Sequence, residues 1–133
     1  MKNTNRRKIA FSDQKGQSVT EFALALPILA LLLFAVIQFG ITFNNYVTLT
    51  DATRAGARKG AVARRLPNPN AACVKAVQDS ATDLKNGLQI TCTSTWQPGV
   101  DVKVNATYPY KISLLGLVVK SGQLSSTTTE RVE

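Results

Sequence analysis

Few side chains in this chain are equipped for chemistry, and the most telling is a carboxylate. Glu21 stands at the mouth of a 22-residue stretch, FALALPILALLLFAVIQFGITF (residues 22–43), that carries no charge. Drawn to mid-bilayer, such an acid costs about 2.5–3.5 kcal/mol even on lenient insertion scales. At the boundary it is an acceptor suited to a charge pair, strengthened by the reduced dielectric. Gly16 and Gln17 lie just before it in the segment Lys15-Gly16-Gln17-Ser18-Val19-Thr20-Glu21-Phe22. Cys73 and Cys92 are the only thiols. Catalysis finds little support, because the chain has no histidine to act as a base near neutral pH. Ser–Lys nucleophilic pairs have no fixed spacing and stay open. A phosphate-cradling glycine loop and paired carboxylates are missing from the sequence. Two cysteines without histidine make a poor metal ligand set. The expectation is a protein that is no enzyme, with no cofactor and no metal.

The element that positions Glu21 is a membrane helix. A hydrocarbon core about 30 Å thick needs roughly 20 apolar residues at 1.5 Å rise, and in lipid only a helix satisfies this backbone internally. Pro27, Gln38, Gly40 and Thr42 are the interruptions, all tolerated in membrane helices. A buried helix of a soluble domain would need far more chain around it than the remaining residues supply.

The flanks set its direction. Residues 1–16 carry Lys2, Arg6, Arg7, Lys8 and Lys15 against Asp13. Basic residues beside a span stay cytoplasmic, so the N-terminus is expected inside and residues from about 44 onward across the membrane. Half of the net charge of +8 belongs to this leader, which makes nucleic-acid binding the weaker explanation of the basic composition. A cleaved secretory signal would have a shorter apolar core and a small-residue exit; here the exit reads Gly40-Ile41-Thr42-Phe43-Asn44-Asn45.

The junction before the apolar run resembles the processing site of type IV pilin-like proteins. In those families a membrane aspartyl peptidase cuts after the glycine, and a glutamate becomes the fifth mature residue. Gly16-Gln17, Glu21-Phe22, the early Pro27, Phe39-Gly40 and Arg54-Ala55-Gly56-Ala57-Arg58 further resemble the TadE-like family of pseudopilins from tight-adherence (Flp-type) pilus systems. The resemblance covers residues 16 to about 63; Lys59 departs from it, where an aromatic is more usual. It implies processing at Gly16 and Gln17 and an assembly role for Glu21 and Phe22. It also implies a prepilin peptidase, other pilin-like subunits, an inner-membrane assembly platform and the bilayer as partners. Two alternatives stay open: a minor pseudopilin of a type II secretion system, and an uncleaved single-pass anchor carrying a periplasmic interaction module.

Residues 44–63 read as an amphipathic continuation of the span. Gly56-x-x-x-Gly60 permits close approach to another helix, while Arg54 and Arg58 lie four apart on one side, within reach of lipid phosphate. A weak helix with a solvated basic face fits the same residues. Arg64-Arg65-Leu66-Pro67-Asn68-Pro69-Asn70 is a break. A second helix is expected over about 71–86, capped by Asn70, with Val74, Val77, Ala81 and Leu84 as its stripe and Gly87 just past its end.

Strands follow over 88–94 and 100–106, joined through Pro98-Gly99, with Tyr108-Pro109-Tyr110 ending the second. A last extended piece, 121–132, joins the same antiparallel sheet. A Cys73–Cys92 bridge would pin the second helix to the first strand and close a loop of about 20 residues, contributing roughly 3 kcal/mol. Ile112-Ser113-Leu114-Leu115-Gly116-Leu117-Val118-Val119 is too short to span; burial in the module is expected, with a membrane dip or a subunit contact as alternatives.

The fold class expected is thus an α+β membrane-anchored protein. It has a basic cytoplasmic leader (1–16), a transmembrane helix with its amphipathic extension (17–63), and a small exported α+β module (64–133). Its place is the cytoplasmic (inner) membrane, single-pass, N-terminus cytoplasmic, module periplasmic.

Overall fold

A computed structural model describes residues 10–114 and 116–133, with the side chains of residues 10–15 left aside. Most of the basic leader therefore lies outside the described residues. The chain divides into two compact units, residues 1–37 and 38–133. The first is described by the N-terminal part of helix α1 (Ala10–Ala61), and the second by the rest of that helix and everything after it.

In the second unit the helix changes character. Leu49, Ala52, Thr53, Gly56, Ala57, Gly60 and Ala61 recur at spacings of three and four, and all are buried. Six of the seven are small, so the backbone of α1 comes close to whatever it packs on. The packing partners are a helix α2 (Pro69–Ser80) and a three-stranded antiparallel sheet. Its strands are β1 (Gln89–Thr93), β2 (Asp101–Leu114) and β3 (Leu117–Arg131), in the order β1-β2-β3. Strand alternation sends Val102, Val104 and Ala106 of β2 into the core with Cys92, Leu49, Cys73, Val77, Ala81 and Leu84. The opposite face of the sheet is polar, with Asn105 donating to Thr127 Oγ1 at 2.8 Å.

The buried Thr53 ties α1 to β3. Its hydroxyl donates to Thr50 O at 2.8 Å and lies 3.2 Å from Ser126 Oγ and 3.0 Å from Thr128 Oγ1. Hydroxyls fit this seam because each both donates and accepts, leaving no buried lone pair orphaned. At the end of the helix Glu133 N donates to Ala61 O at 3.1 Å, satisfying one of the carbonyls that a helix leaves open.

Several boundaries differ from the sequence expectation. The cap of α2 is Asn68, not Asn70: its side chain accepts from Ala71 N at 3.0 Å, and Pro69 takes the first helical turn, where its missing N–H costs nothing. Asn70 instead reaches across to donate to Cys92 O at 2.8 Å. The helix stops at Ser80 rather than 86; Ala81 leaves helical geometry (φ −113°, ψ 47°), and Thr82–Leu84 form a 3-10 turn. Val77, Ala81 and Leu84 still reach the core from this broken path. Gln97-Pro98-Gly99-Val100 closes as a turn with Gly99 at φ 80°, proline at its second and glycine at its third position.

Strand β2 does not end at Tyr108-Pro109-Tyr110. It runs on to Leu114, because Pro109 lies past the last β1 pair, Gln89↔Thr107, where β2 has a neighbour on one side only. Proline is tolerated at such an edge. The apolar stretch from Ile112 is consequently not buried in the module. It forms the end of the β2–β3 hairpin, with Leu117, Val118 and Val119 exposed at 75, 61 and 63 %. The two strands outrun β1, and among the described residues no other strand pairs with their exposed tip.

Cys73 and Cys92 are bridged, their Cα atoms 6.5 Å apart, joining α2 to β1 across the core. With a separation of 19 residues the bridge stabilises by roughly 3 kcal/mol in the chain-entropy model. Replacing both cysteines by alanine is expected to lower stability by about that amount. Urea unfolding of the module's tryptophan signal, in detergent-solubilised protein, measures it.

Candidate functional site

The residues singled out by type and spacing fall into two groups with different surroundings. Gly16, Gln17, Glu21 and Phe22 lie on α1 and are all exposed. Gln17 Nε2 donates to Glu21 Oε1 at 3.1 Å, one helical turn apart, and Thr20 Oγ1 donates to Gly16 O at 2.9 Å. The carboxylate of Glu21 thus sits on the helix surface at the border of the apolar run, beside the side chain of Gln17.

Gly16 has no structural reason to be glycine. A Cβ added there meets nothing within 4 Å, and glycine inside a helix costs up to about 1 kcal/mol relative to alanine. Gly56 and Gly60 are the opposite case. A Cβ on Gly56 would collide with Val77 Cγ2, and one on Gly60 would come within 2.9 Å of Val102 Cγ1 and 3.4 Å of the Trp96 ring. Their close approach is made to the chain's own α2 and β2. Arg54 and Arg58 are exposed, away from that packing; Arg54 Nη1 is 3.4 Å from Asp51 Oδ1, a solvated pair of small energetic worth.

Every Leu, Ile, Val and Phe from Phe22 to Phe43 is exposed. The most apolar stretch of α1 is long enough to cross a membrane, and none of it is buried among the described residues. An apolar surface of that extent is stable only in contact with another apolar medium.

Two contributors carried no signal in the motif reading. Thr53 is an unremarkable threonine until its place in the helix stripe opposite Ser126 and Thr128 is known. Trp96, at φ 58°, packs beside Gly60, and its backbone N–H donates to Ser94 Oγ at 3.1 Å.

Residues 16–58 match the family model of TadE-like protein. The match begins at Gly16 and includes Glu21, Pro27 and the segment Arg54-Ala55-Gly56-Ala57-Arg58. No curated protein and no solved structure matches the chain significantly.

The two kinds of glycine predict opposite responses. Gly56→Val is expected to destabilise by about 1–3 kcal/mol through overpacking against Val77, whereas Gly16→Ala leaves the stability of the module unchanged. Chemical denaturation of the two variants side by side checks this.

Proposed function

We propose that the protein is a structural, non-enzymatic component of a tight-adherence pilus, made as a precursor and cut between Gly16 and Gln17 by a prepilin peptidase. The observation that carries this reading is the family match, which starts at the glycine in question and covers the whole membrane helix. The exposed glycine with no packing role adds to it, since a residue without a structural demand is free to answer to a peptidase. The match to TadE-like protein favours this apparatus over a type II secretion system.

On this reading the helix holds the protein in the inner membrane with its N-terminus cytoplasmic and the module periplasmic. That compartment is oxidising, in keeping with the Cys73–Cys92 bridge. Cleavage exposes a new amine on Gln17. Glu21 pairs with the amine of a neighbouring pilin-like subunit, a charge-assisted bond strengthened at the apolar boundary. Phe22 begins the apolar surface beside it, and the assembly platform and peptidase act from the same membrane.

Two variants test the two steps. In native membranes the mature protein is expected to begin at Gln17 by intact mass, and only when the peptidase is present. Gly16→Trp is expected to keep the full precursor mass by crowding the cleavage site; a product of unshifted mature mass refutes the processing step. Glu21→Gln is expected to be cut normally yet fail to enter the assembly, read as its absence from sheared pili. Normal incorporation of that variant removes Glu21 from the mechanism.

A further inference from the structure

We propose that the tip of the β2–β3 hairpin is a second membrane contact, inserted among lipids beside the outer end of the α1 span. This rests on reading α1 as a membrane helix, but not on which side the module occupies.

The tip is built for it. Leu114 pairs with Leu117, Gly116 has φ 85°, and Leu117, Val118 and Val119 are all exposed. One rung behind them stand Lys111, paired with Ser121, and Lys120, paired with Ile112. Both lysines are exposed. An apolar cap with lysines behind it suits a bilayer boundary, where the stems lie along the acyl region and the ammonium groups reach headgroup phosphates.

The level of the tip along α1 follows from bonds within the second unit. Glu133 N meets Ala61 O, and Thr53 Oγ1 meets Ser126 Oγ. From the first tie to the second, seven strand residues are traversed for eight helix residues. Leu117 lies nine residues further along β3, which at the same pace brings it level with about Phe43.

The surface of α1 at that level has the same polarity. Gln38, Thr42 and Asn45 are partly buried and continue the stripe of Leu49 and Thr53, while Phe39, Ile41 and Phe43 are exposed. Gln38 and Thr42, polar interruptions of the run, are thus partly buried, while its exposed large side chains are apolar. Three side chains at a turn are also too few for a stable pairing of two copies, which takes roughly 800 Å² per partner.

The test places a cysteine at Val118 in the full chain, whose own two thiols are bridged, and labels it with an environment-sensitive fluorophore. The protein is reconstituted into phosphatidylethanolamine–phosphatidylglycerol vesicles with and without lipids carrying a nitroxide quencher on the acyl chain. A label at Val118 is expected to emit to the blue and lose most of its intensity to the quencher. Labels at Leu31→Cys and Thr129→Cys are expected to be quenched and unquenched respectively. An unquenched Val118 with a quenched Leu31 overturns the hairpin insertion and leaves the anchor standing. An unquenched Leu31 overturns the anchor reading itself. If Val118→Cys chains cross-link to one another while the label stays unquenched, the tip is a contact between copies and the proposal fails.

Discussion

The close approach of α1 to the chain behind it is the constraint on which the folded module depends. Two glycines one turn apart leave a groove that Val77 of α2 and Val102 of β2 fill. Without that groove the helix backbone would stand off by the width of a side chain, and Thr53 would no longer reach Ser126 and Thr128. The bridge between Cys73 and Cys92 then holds α2 and β1 where the groove needs them. A module this small buries a modest fraction of its surface, so a dense contact at one place carries more weight than it would in a large domain.

One helix meets two demands in succession. From Phe22 to Phe43 every Leu, Ile, Val and Phe is exposed, as suits lipid; from Leu49 to Ala61 only one stripe is buried, as suits a helix on a sheet. The glycines divide in the same way. Gly56 and Gly60 are required by packing, whereas Gly16 and Gly40 face open space.

How much was legible beforehand depended on the range of the interaction. The apolar run, the Pro98-Gly99 turn, the alternation of β2 and the bridge of Cys73 with Cys92 all rest on local pattern or compartment chemistry, and the sheet is antiparallel as its short spacing implies. The boundaries failed where two local signals competed. Asn68 and Asn70 both suit a cap, and Pro69 decides between them by occupying the first turn. Pro109 reads as a strand end until one knows that β1 stops short of it. Ile112 to Val119 reads as core because apolar residues usually are; only the length of the hairpin relative to β1 shows otherwise. At the candidate site, Gly56 and Gly60 were recognised as close-approach residues, but the surface they approach belongs to a distant part of the same chain, which no local pattern reveals.

The distances in sequence also set an order of events. The β2–β3 hairpin and its register involve neighbours, and such turns close in microseconds. The Thr53 seam joins residues 73 and 75 positions apart, and closing so long a loop loses chain entropy before any bond is returned. Loop-closure entropy thus favours a hairpin that closes on its own before the Thr53 seam joins it to α1. The stripe from Leu49 to Ala61 is local to one helix, so it is complete before any strand arrives, and the helix serves the sheet as a template.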